Sequence, residues 1–393
     1  MQATRMSSVF ALLLTLFLCT AVSAQQIESM KLLTPEAGWA ATAQKLFWTT
    51  NGGSQWKDIT PKLKHEEQGI ASVFFSDWST GWVLLRCGDN LFPSRDPSTL
   101  KSDRDLKRDD TCFEFASTTD AGQNWSIVHP KIVDPSQHPE DGSGFSLGTF
   151  LDFADSQHGW AILKSGTSTL FSSGVMLRTA DGGHTWTQVG SALPIAEHFH
   201  FVTPKVGWMA GGPEHDLYVT HDAANSWQKV ESLPDMGDDL PVFENERRAL
   251  LPVGNILLAT EDGGKTWKQD RVLTGVPHYD SLTIADSVVI AAHSKLQHAP
   301  QNENQYILIT ELSLYTLGPD RNISSNTANI SSAGVAKQLS FLNRNQGWVS
   351  LSGRLFATRD GGRSWLDITP GGPPPPPRVW IHGTTKTVPR GTP

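Results

Sequence analysis

A carboxylate and an indole recur together in this 393-residue sequence, at a spacing that could serve either chemistry or architecture. Six stretches follow the skeleton Thr-x-Asp-x-Gly-x-x-Trp, from which only Asn51 and Ala224 depart, and we call each of them a box. An acid beside a tryptophan could line a sugar site, but a residue that recurs once per repeat more often serves the repeat itself. We therefore interpret the boxes as structural corners. They are Thr49/Asn51/Gly53/Trp56, Thr118/Asp120/Gly122/Trp125, Thr179/Asp181/Gly183/Trp186, Thr220/Asp222/Ala224/Trp227, Thr260/Asp262/Gly264/Trp267 and Thr358/Asp360/Gly362/Trp365.

The spacing inside each box predicts a hairpin turn between two antiparallel strands. The Asp side chain, or Asn51 in the first box, accepts hydrogen bonds from backbone N–H groups just downstream, and the Gly two residues later takes a positive φ. The indole begins the outgoing strand, and we expect it to fold back under the turn and bury a large apolar surface. Each box is therefore a self-locking corner.

The boxes resemble the Asp-box or BNR repeat of sialidases, sortilin-type receptors and many β-propellers. Similarity to sialidases would imply three arginines that clamp a carboxylate, a tyrosine nucleophile paired with Glu, and an acidic proton donor. The sequence lacks the Arg-Ile-Pro motif that usually marks the first arginine. Its candidate nucleophiles all lie in or next to predicted strands, and they are Tyr218, Tyr279, Tyr306 and Tyr315. A sialidase-like glycoside hydrolase is therefore the alternative function, and we predict no catalytic residue.

A histidine pair is the other constellation that could do chemistry. His198 and His200 are two residues apart, which places both imidazoles on one face of a strand. Zinc sites need acid or thiol ligands at a defined spacing as well, and the neighbouring Glu197 and Glu214 form no recognised motif. The same ambiguity holds for two further groups, which are His215 with His221 and the acidic turn Asp235, Asp238 and Asp239. We therefore predict neither a metal site nor an obligate cofactor.

A second repeated signature precedes most boxes: an apolar strand, a polar turn and a Gly-Trp pair that opens the next strand. The Gly-Trp tryptophans and the box tryptophans together account for 11 of the 14, and the former are Trp39, Trp82, Trp160, Trp208 and Trp348. Each unit thus predicts four antiparallel strands with a box between the third and the fourth, which is a propeller blade. Consecutive boxes lie as close as 40 residues apart, but 98 residues separate the last two, so one blade has no box.

The resulting prediction is an all-β, seven-bladed β-propeller of four-stranded antiparallel blades in residues 25–370. The predicted blades span roughly residues 27–61, 68–131, 147–191, 196–231, 239–271, 279–325 and 335–370. Residues 1–24 read as a secretory signal cleaved before Gln25, with lipidation of Cys19 as the alternative. The five consecutive prolines within residues 371–393 predict a disordered tail.

The composition of the mature chain bounds its partners. After signal cleavage 31 basic side chains face 40 acidic ones, a net charge of −9, which disfavours nucleic acid. No second hydrophobic span follows the signal, and we expect a monomer in the periplasm or outside the cell. In such an oxidising compartment Cys87 and Cys112 are expected to form a disulfide across a hairpin.

The Gly-Trp pairs and the boxes, after a secretory signal, also resemble the photosystem II stability/assembly factor family over about residues 27–370. That resemblance implies a seven-bladed propeller, and its photosynthetic members are non-enzymatic chaperones that bind a reaction-centre subunit. We find no arginine cluster here that aligns with their partner-binding patch. The expected function is an exported scaffold that binds a protein partner, as an assembly or stability factor for an envelope or photosystem-like complex. Its binding residues are expected in three non-repeating insertions, 88–111, 132–146 and 293–305.

Overall fold

The structure, a computed structural model, describes residues 26–63, 68–87, 113–130, 149–167, 172–190, 193–194, 196, 198–211, 215–230, 233, 240–273, 278–302, 305–318, 322–371, 379–381 and 384–385. Within these ranges no helix is long and apolar enough to cross a bilayer. The predicted signal sequence, Cys112 and the insertions 88–111 and 132–146 lie outside the described residues.

The first 28 strands form seven antiparallel sheets, each of which begins with four strands consecutive in sequence. Blades one to three are β1 (Ser29–Leu32), β2 (Gly38–Ala41), β3 (Leu46–Thr49), β4 (Lys57–Asp58); β5 (Gln68–Phe75), β6 (Gly81–Cys87), β7 (Phe113–Thr118), β8 (Ser126–Val128); and β9 (Thr149–Phe153), β10 (Gly159–Thr167), β11 (Ser172–Thr179), β12 (Thr187–Val189). Blades four and five are β13 (His198–Phe201), β14 (Gly207–Gly211), β15 (Asp216–Thr220), β16 (Gln228–Lys229); and β17 (Val242–Phe243), β18 (Ala249–Val253), β19 (Ile256–Thr260), β20 (Lys268–Val272). Blades six and seven are β21 (Ser281–Ala285), β22 (Val288–Asn302), β23 (Gln305–Leu317), β24 (Ile323–Ile330); and β25 (Ala336–Phe341), β26 (Gly347–Leu351), β27 (Arg354–Thr358), β28 (Leu366–Asp367). The predicted seven-bladed β-propeller is confirmed.

The first strand of each blade lines the axis of the ring. First strands of neighbouring blades contact one another at several places around the ring: β5 with β9, β9 with β13, β21 with β25 and β25 with β1. The short fourth strands lie at the rim, where the residues of β4, β16 and β28 are exposed. Each blade therefore runs from the axis outward in sequence order.

The Gly-Trp pairs make contacts between blades. At Gly159 an added Cβ would lie 2.3 Å from the ring of Phe153 on the facing strand, so that only glycine lets this ring lie against the backbone. The ring of Trp160 is 1% exposed and stacks at 3.5 Å on Phe201 of the next blade. Trp82 stacks in the same way, at 3.7 Å, on Phe153. Glycine and tryptophan thus recur together because one admits a ring within the blade and the other joins two blades.

The ring closes between blades seven and one without a shared strand. β1 pairs only with β2 in its own sheet, and it packs against β25 and β26. Two N–H groups of β1 donate to side chains of β25, Leu32 to Ser340 Oγ at 2.9 Å and Met30 to Gln338 Oε1 at 3.2 Å. We call this set of contacts between the first and last blades the seam.

Blade six has no box, as the sequence predicts, but its strands differ from the expected ones. β22 and β23 pair from Val289↔Leu317 outward to Asn302↔Gln305, so the predicted insertion 293–305 is largely a two-stranded ribbon. Residues 306–309 lie in this ribbon, and β24 ends at Ile330, beyond the predicted blade limit of 325. The reason is register: β24 pairs with Thr310–Leu317, so only that part of β23 belongs to the four-stranded blade.

Two short strands lie in the segment for which we predicted a disordered tail. β29 (Val379–Ile381) pairs with Gln305–Ile307 at the outer end of β23, and β30 (Thr384–Thr385) pairs with β29. The ribbon leaves an edge of β23 unpaired beyond β24, and backbone N–H and C=O groups on such an edge accept a further strand. The expectation of disorder therefore does not describe these five residues.

Candidate functional site

The strand order gives the propeller two unlike faces. Turns between strands one and two and between strands three and four lie on one face, which we call the box face because it carries all six boxes. Connections between strands two and three, and from each blade to the next, lie on the opposite face, which we call the loop face. A binding site on either face would be built from different kinds of residue.

Each box is closed by hydrogen bonds centred on its threonine. In the third box Thr179 Oγ1 donates to Asp181 Oδ1 at 2.7 Å and accepts from the N–H of Gly183 at 2.9 Å. Asp181 Oδ1 also accepts from the N–H of Thr185 at 2.9 Å, and its Oδ2 from the Thr185 hydroxyl at 2.6 Å. Partial desolvation opposes ionisation, but the Thr185 and Thr179 bonds outweigh it and lower the pKa of Asp181 to about 2. The carboxylate is thus engaged by its own turn.

The same threonine-centred bonds recur in the other five boxes. In each of them the threonine hydroxyl donates to the side-chain oxygen two residues later, which belongs to Asn51, Asp120, Asp222, Asp262 or Asp360. The hydroxyl also accepts from the N–H four residues later, at 2.8–3.0 Å. These N–H to hydroxyl pairs are Gly53 to Thr49, Gly122 to Thr118, Ala224 to Thr220, Gly264 to Thr260 and Gly362 to Thr358.

The box glycines have a second reason to be glycine, which the sequence interpretation missed. Positive φ at this position was expected, and Gly53, Gly264 and Gly362 have φ values of 90°, 85° and 86°. Each also lies against a side chain of the preceding blade, so closely that an added Cβ would clash. The distances from that Cβ are 2.5 Å for Gly53 to Ile368, 2.2 Å for Gly264 to Trp208 and 2.7 Å for Gly362 to Leu314.

In the six blades that carry a box, the two turns on the box face are also bonded to each other. The first turn is held by one side chain, as in blade three, where Asp155 Oδ1 accepts from the N–H groups of Gln157 and His158. The carbonyl of Gln157 then accepts from Gly182 in the box at 2.9 Å. The same bond between turns recurs in six blades, as Gly52 to Glu36, Ala121 to Ser79, Gly182 to Gln157, Ala223 to Lys205, Gly263 to Arg247 and Gly361 to Asn345. The turns of the box face are therefore rigidly connected.

Three box tryptophans reach across to neighbouring blades with defined partners. Trp56 Nε1 donates to the carbonyl of Ile368 in blade seven at 2.6 Å, and Trp125 Nε1 to that of Ile59 in blade one at 2.8 Å. Trp186 stacks at 4.1 Å on Phe115 of blade two, and its Nε1 lies 3.2 Å from the carbonyl of Gly183 in its own turn. These indoles thus pack between blades as well as against their turns.

The other three box tryptophans depart from the expected self-locking corner. Among the described residues the Nε1 atoms of Trp227, Trp267 and Trp365 are buried without a hydrogen-bond partner. These three side chains are held by ring packing alone. Trp227 meets Phe201 edge-on at 6.1 Å and Trp267 meets Trp208 edge-on at 6.2 Å. Trp365 packs on the apolar cluster of blades six and seven. A buried donor without an acceptor costs about 1–3 kcal/mol, so apolar contact must outweigh that cost in these blades.

The expected burial of the box indoles also needs correction. Only Trp186 is buried, at 8% exposure, whereas the indoles of the other five boxes are half-buried. The physical reason is position, because each indole immediately precedes a fourth strand and the fourth strands lie at the rim of the propeller. The half-buried indoles are Trp56, Trp125, Trp227, Trp267 and Trp365.

The two boxes that depart from the skeleton keep the same geometry. Asn51 Oδ1 accepts from the N–H of Gln55 at 2.8 Å, as the aspartates do at the equivalent position. Ala224 has a φ of 70° and is fully buried, and Ala223 before it has a φ of 60°. Left-handed φ costs an alanine about 1–2 kcal/mol relative to ordinary backbone. Blade four therefore carries this strain at two alanines, whereas the box of blade two carries it at one, Ala121, whose φ is 58°.

The histidine pair faces the first strand of blade three. The His198 ring meets the ring of Phe150 edge-on at 4.8 Å, and His200 Nδ1 lies 3.1 Å from Asp152 Oδ2. Asp152 is 8% exposed and also accepts from the N–H of Phe201 at 2.7 Å. Burial disfavours the imidazolium, but the bond and charge of Asp152 outweigh it and raise the pKa of His200. Glu197, Glu214 and the three aspartates of 235–239 lie outside the described residues.

Sequence reasoning missed Asp152 as the partner of His200. Both residues face the tryptophan of a Gly-Trp pair, Asp152 opposite Trp160 and His200 opposite Trp208. Aligning the blades on Gly-Trp would have put them at one position, but they are of different residue types and no repeated letter marks them. Among the described residues no group of three or more His, Cys, Asp or Glu side chains is arranged to hold a metal ion.

The four tyrosines of the enzyme alternative are dispersed. Tyr218 on β15 bonds through its hydroxyl to Asp216 Oδ2 at 3.2 Å, and the Tyr279 hydroxyl donates to the carbonyl of Gly254 at 3.0 Å. Tyr306 and Tyr315 lie on β23, opposite Pro300 and Ala291 of β22. Tyr218 thus lies in blade four, and the other three lie in or next to blade six.

The loop face carries the parts of the chain that do not repeat. The chain leaves β6 at Cys87 and enters β7 at Phe113 on this face, and it leaves β8 and enters β9 there as well. The ribbon of β22 and β23 also extends from this face, and β29 pairs with its outer end. Cys112 is outside the described residues, so its disulfide with Cys87 stays a prediction.

Comparisons with known proteins support the fold. No protein-family model matches the chain, and no curated protein matches it. Among solved structures the chain is similar to one described as "YCF48 bound to D1 peptide", with a TM-score of 0.50 and 16% sequence identity, over 85% of this chain and 92% of that one. At this identity the likeness concerns the architecture: the chain shares a propeller fold with a protein whose structure includes a bound peptide.

Proposed function

We propose that this chain is an exported, non-enzymatic scaffold that binds a protein partner through its loop face. One observation carries the proposal: the non-repeating connections leave and enter the propeller on that face, while the box face repeats the same turns. Binding residues concentrate in variable segments held by a rigid scaffold. The peptide bound in the similar structure is consistent with a protein ligand.

The finer role is that of an assembly or stability factor for an envelope or photosystem-like complex. It rests on the resemblance of the Gly-Trp pairs and boxes to the photosystem II factor family. A propeller suits this role because a rigid body can bind a partner without catalysing a reaction. The box carboxylates form hydrogen bonds within their own turns, as Asp181 does.

A trimmed ribbon tests the binding face. Joining Leu296 to Thr310 through an Asn-Gly turn removes the outer ribbon but keeps the pairing of β23 with β24. The matched control is Trp78→Ala on the box face, where the indole is 65% exposed. Affinity capture from envelope extract with mass spectrometry should lose specific partners with the trimmed protein and retain them with the control.

Full retention of partners by the trimmed protein would move the test to a deletion of residues 90–109 that keeps both cysteines. Retention of all partners by both the trimmed protein and the deletion of residues 90–109 would refute binding by the loop face. Loss of partners only with Trp78→Ala would refute it as well. A fluorogenic panel of sialosides and common glycosides tests the enzyme alternative, and turnover at ordinary enzyme concentrations would overturn the scaffold proposal.

Export and the disulfide have direct tests. The intact mass of the mature protein should begin at Gln25 without lipid, and acylation at Cys19 would indicate a membrane-anchored lipoprotein instead. Thiol labelling of the denatured, unreduced protein should find no free cysteine, whereas labelling of both Cys87 and Cys112 would exclude the disulfide. Such a bond stabilises a loop of this length by roughly 3 kcal/mol on the chain-entropy model.

A further inference from the structure

One position in each blade lies at the same level of the central channel. It belongs to the first strand of the blade and is the second-to-last residue of that strand before the turn on the box face. Its pairing partner on the second strand is the tryptophan of the Gly-Trp pair, or the equivalent residue in the two blades without that pair. The seven residues are Lys31, Phe74, Asp152, His200, Val242, Ile284 and Ser340, opposite Trp39, Trp82, Trp160, Trp208, Leu250, Val289 and Trp348. All three charged or titratable members fall within blades one to four. This side of the channel thus differs from the rest of the ring.

Two pairs of these residues are in contact between neighbouring blades. The Lys31 ammonium lies 5.5 Å from the centre of the Phe74 ring in the next blade. Asp152 in blade three contacts His200 in blade four at 3.1 Å, and the charges of Lys31 and Asp152 act on each other and on His200. We call Lys31, Phe74, Asp152 and His200 the channel row.

The channel row has more positive than negative charge when His200 is protonated. Two cations then face the single carboxylate of Asp152, which is already bonded to His200 and to a backbone N–H. Among the described residues no carboxylate lies within ion-pair distance of the Lys31 ammonium, and desolvation lowers the pKa of Lys31 against the opposing effect of Asp152. Solvent still reaches the row, since Lys31 is exposed within the channel and the His200 side chain is 42% exposed.

We propose that the channel row is a binding site for a small oxyanion, a carboxylate or a phosphate, held between the Lys31 ammonium and the His200 imidazolium. The ammonium and the imidazolium N–H form charge-assisted hydrogen bonds to such oxygens. Asp152 is a positioning residue here: its bond to Nδ1 directs Nε2 of His200 away from blade three. Because the row lies at the box-face end of the channel, the site is separate from the partner-binding face and independent of the proposed function.

Binding of an anion whose own charge is constant over this range, such as acetate, should weaken as pH rises, because the site loses one positive charge when His200 deprotonates. The pKa of His200 lies above its ordinary value of 6.5, so the imidazolium is present below that pH and is lost as pH rises through the folded pKa. The charged or titratable groups around His200 are Lys31 on β1, Asp152 on β9 and the second imidazole, His198, on its own strand β13. The remaining positions at this level are Phe74, Val242, Ile284 and Ser340, none of which titrates in this range.

The test is an NMR titration of the full mature chain with histidine labelled in the ring, using acetate and inorganic phosphate as separate probes at pH 6 and pH 8. We expect saturable shifts of the His200 ring nitrogens at pH 6 with either probe. The comparison with pH 8 uses acetate, whose charge does not change between the two values, and acetate should bind more weakly at pH 8. Lys31→Met, which keeps the length of the side chain, should weaken binding by about tenfold or more. Lys205→Met is the matched control because it removes an exposed lysine from a box-face turn, and it should bind as the parent does.

The two probes distinguish the ligand source, since preferential binding of acetate indicates a carboxylate ligand and preferential binding of phosphate a phosphorylated one. Absence of saturable shifts at millimolar concentrations of either anion would overturn the site. Equal affinities of the parent and Lys31→Met would do the same. Should Lys31→Met lose its fold, as judged by the other histidine signals, His200→Asn replaces it, read by calorimetry; unchanged affinity at pH 6 in that folded variant refutes the proposal.

Discussion

Replacing Trp186 with alanine should lower the free energy of unfolding by about 3–5 kcal/mol. The indole is 8% exposed, and its ring stacks at 4.1 Å on Phe115 of the preceding blade and meets Phe153 edge-on at 6.0 Å. The substitution therefore opens a cavity between two blades in addition to removing apolar surface from the core. It also removes the donor that faces the carbonyl of Gly183.

The control is the same chemical change at an exposed position. Trp78 is 65% exposed, so Trp78→Ala should change stability by no more than about 0.5 kcal/mol. Urea unfolding should be followed by far-ultraviolet circular dichroism, because both variants lose a fluorophore. A loss below about 1 kcal/mol for Trp186→Ala, or equal losses for the two variants, would refute the assignment of this indole to the interface between blades.

Three further changes test the corners and the blade contacts. Gly159→Ala should cost about 1–3 kcal/mol in urea unfolding because its Cβ meets the facing phenylalanine ring, whereas Gly190→Ala, with open space around it, should cost far less. Ala223→Gly should raise stability by about 1 kcal/mol because it relieves a left-handed φ, and a lower denaturation midpoint would contradict this. Asp181 has a folded pKa of about 2, so its contribution is present above the unfolded pKa near 3.9 and is lost as pH falls from about 4 to 2. Thr185→Ala should raise that folded pKa and shift acid unfolding to higher pH, and an unchanged acid midpoint would count against the bond to Thr185.

The number of blades could be predicted from the sequence because most blades repeat the same residue types at the same turns. A box marks the turn between strands three and four, and Gly-Trp marks the start of strand two, so their spacing counted blades even where one box was missing. These patterns are local, since the turn geometry is set by side chains within eight residues of one another. Residues such as Thr179, Asp181 and Gly183 could be found in this way.

Features that depend on neighbouring blades could not be found in the same way. The indole of Trp125 bonds to a carbonyl 66 residues earlier in the chain, whereas Trp227 has no such partner, and no local spacing encodes the difference. The channel row is made of unlike residues at one position, because side chains toward the axis are not constrained by the repeat. The ribbon of blade six was missed because strand pairing continues past the blade, and the sequence alone does not show where β24 stops covering β23.

The seam implies an order of events in folding. Each blade pairs strands that are consecutive in sequence, and neighbouring blades in the chain pack on each other, so six of the seven interfaces form between adjacent segments. The seventh joins residues 308 apart, as in the bond from Leu32 to Ser340, and its formation must overcome the loop-closure entropy of almost the whole chain. Contacts that form last are absent from the folding transition state, so weakening them speeds unfolding and leaves the folding rate nearly unchanged. We therefore expect the lifetime of the closed ring to depend most on seam residues such as Met30, Leu32 and Trp56, and its rate of assembly to depend on the blades between them.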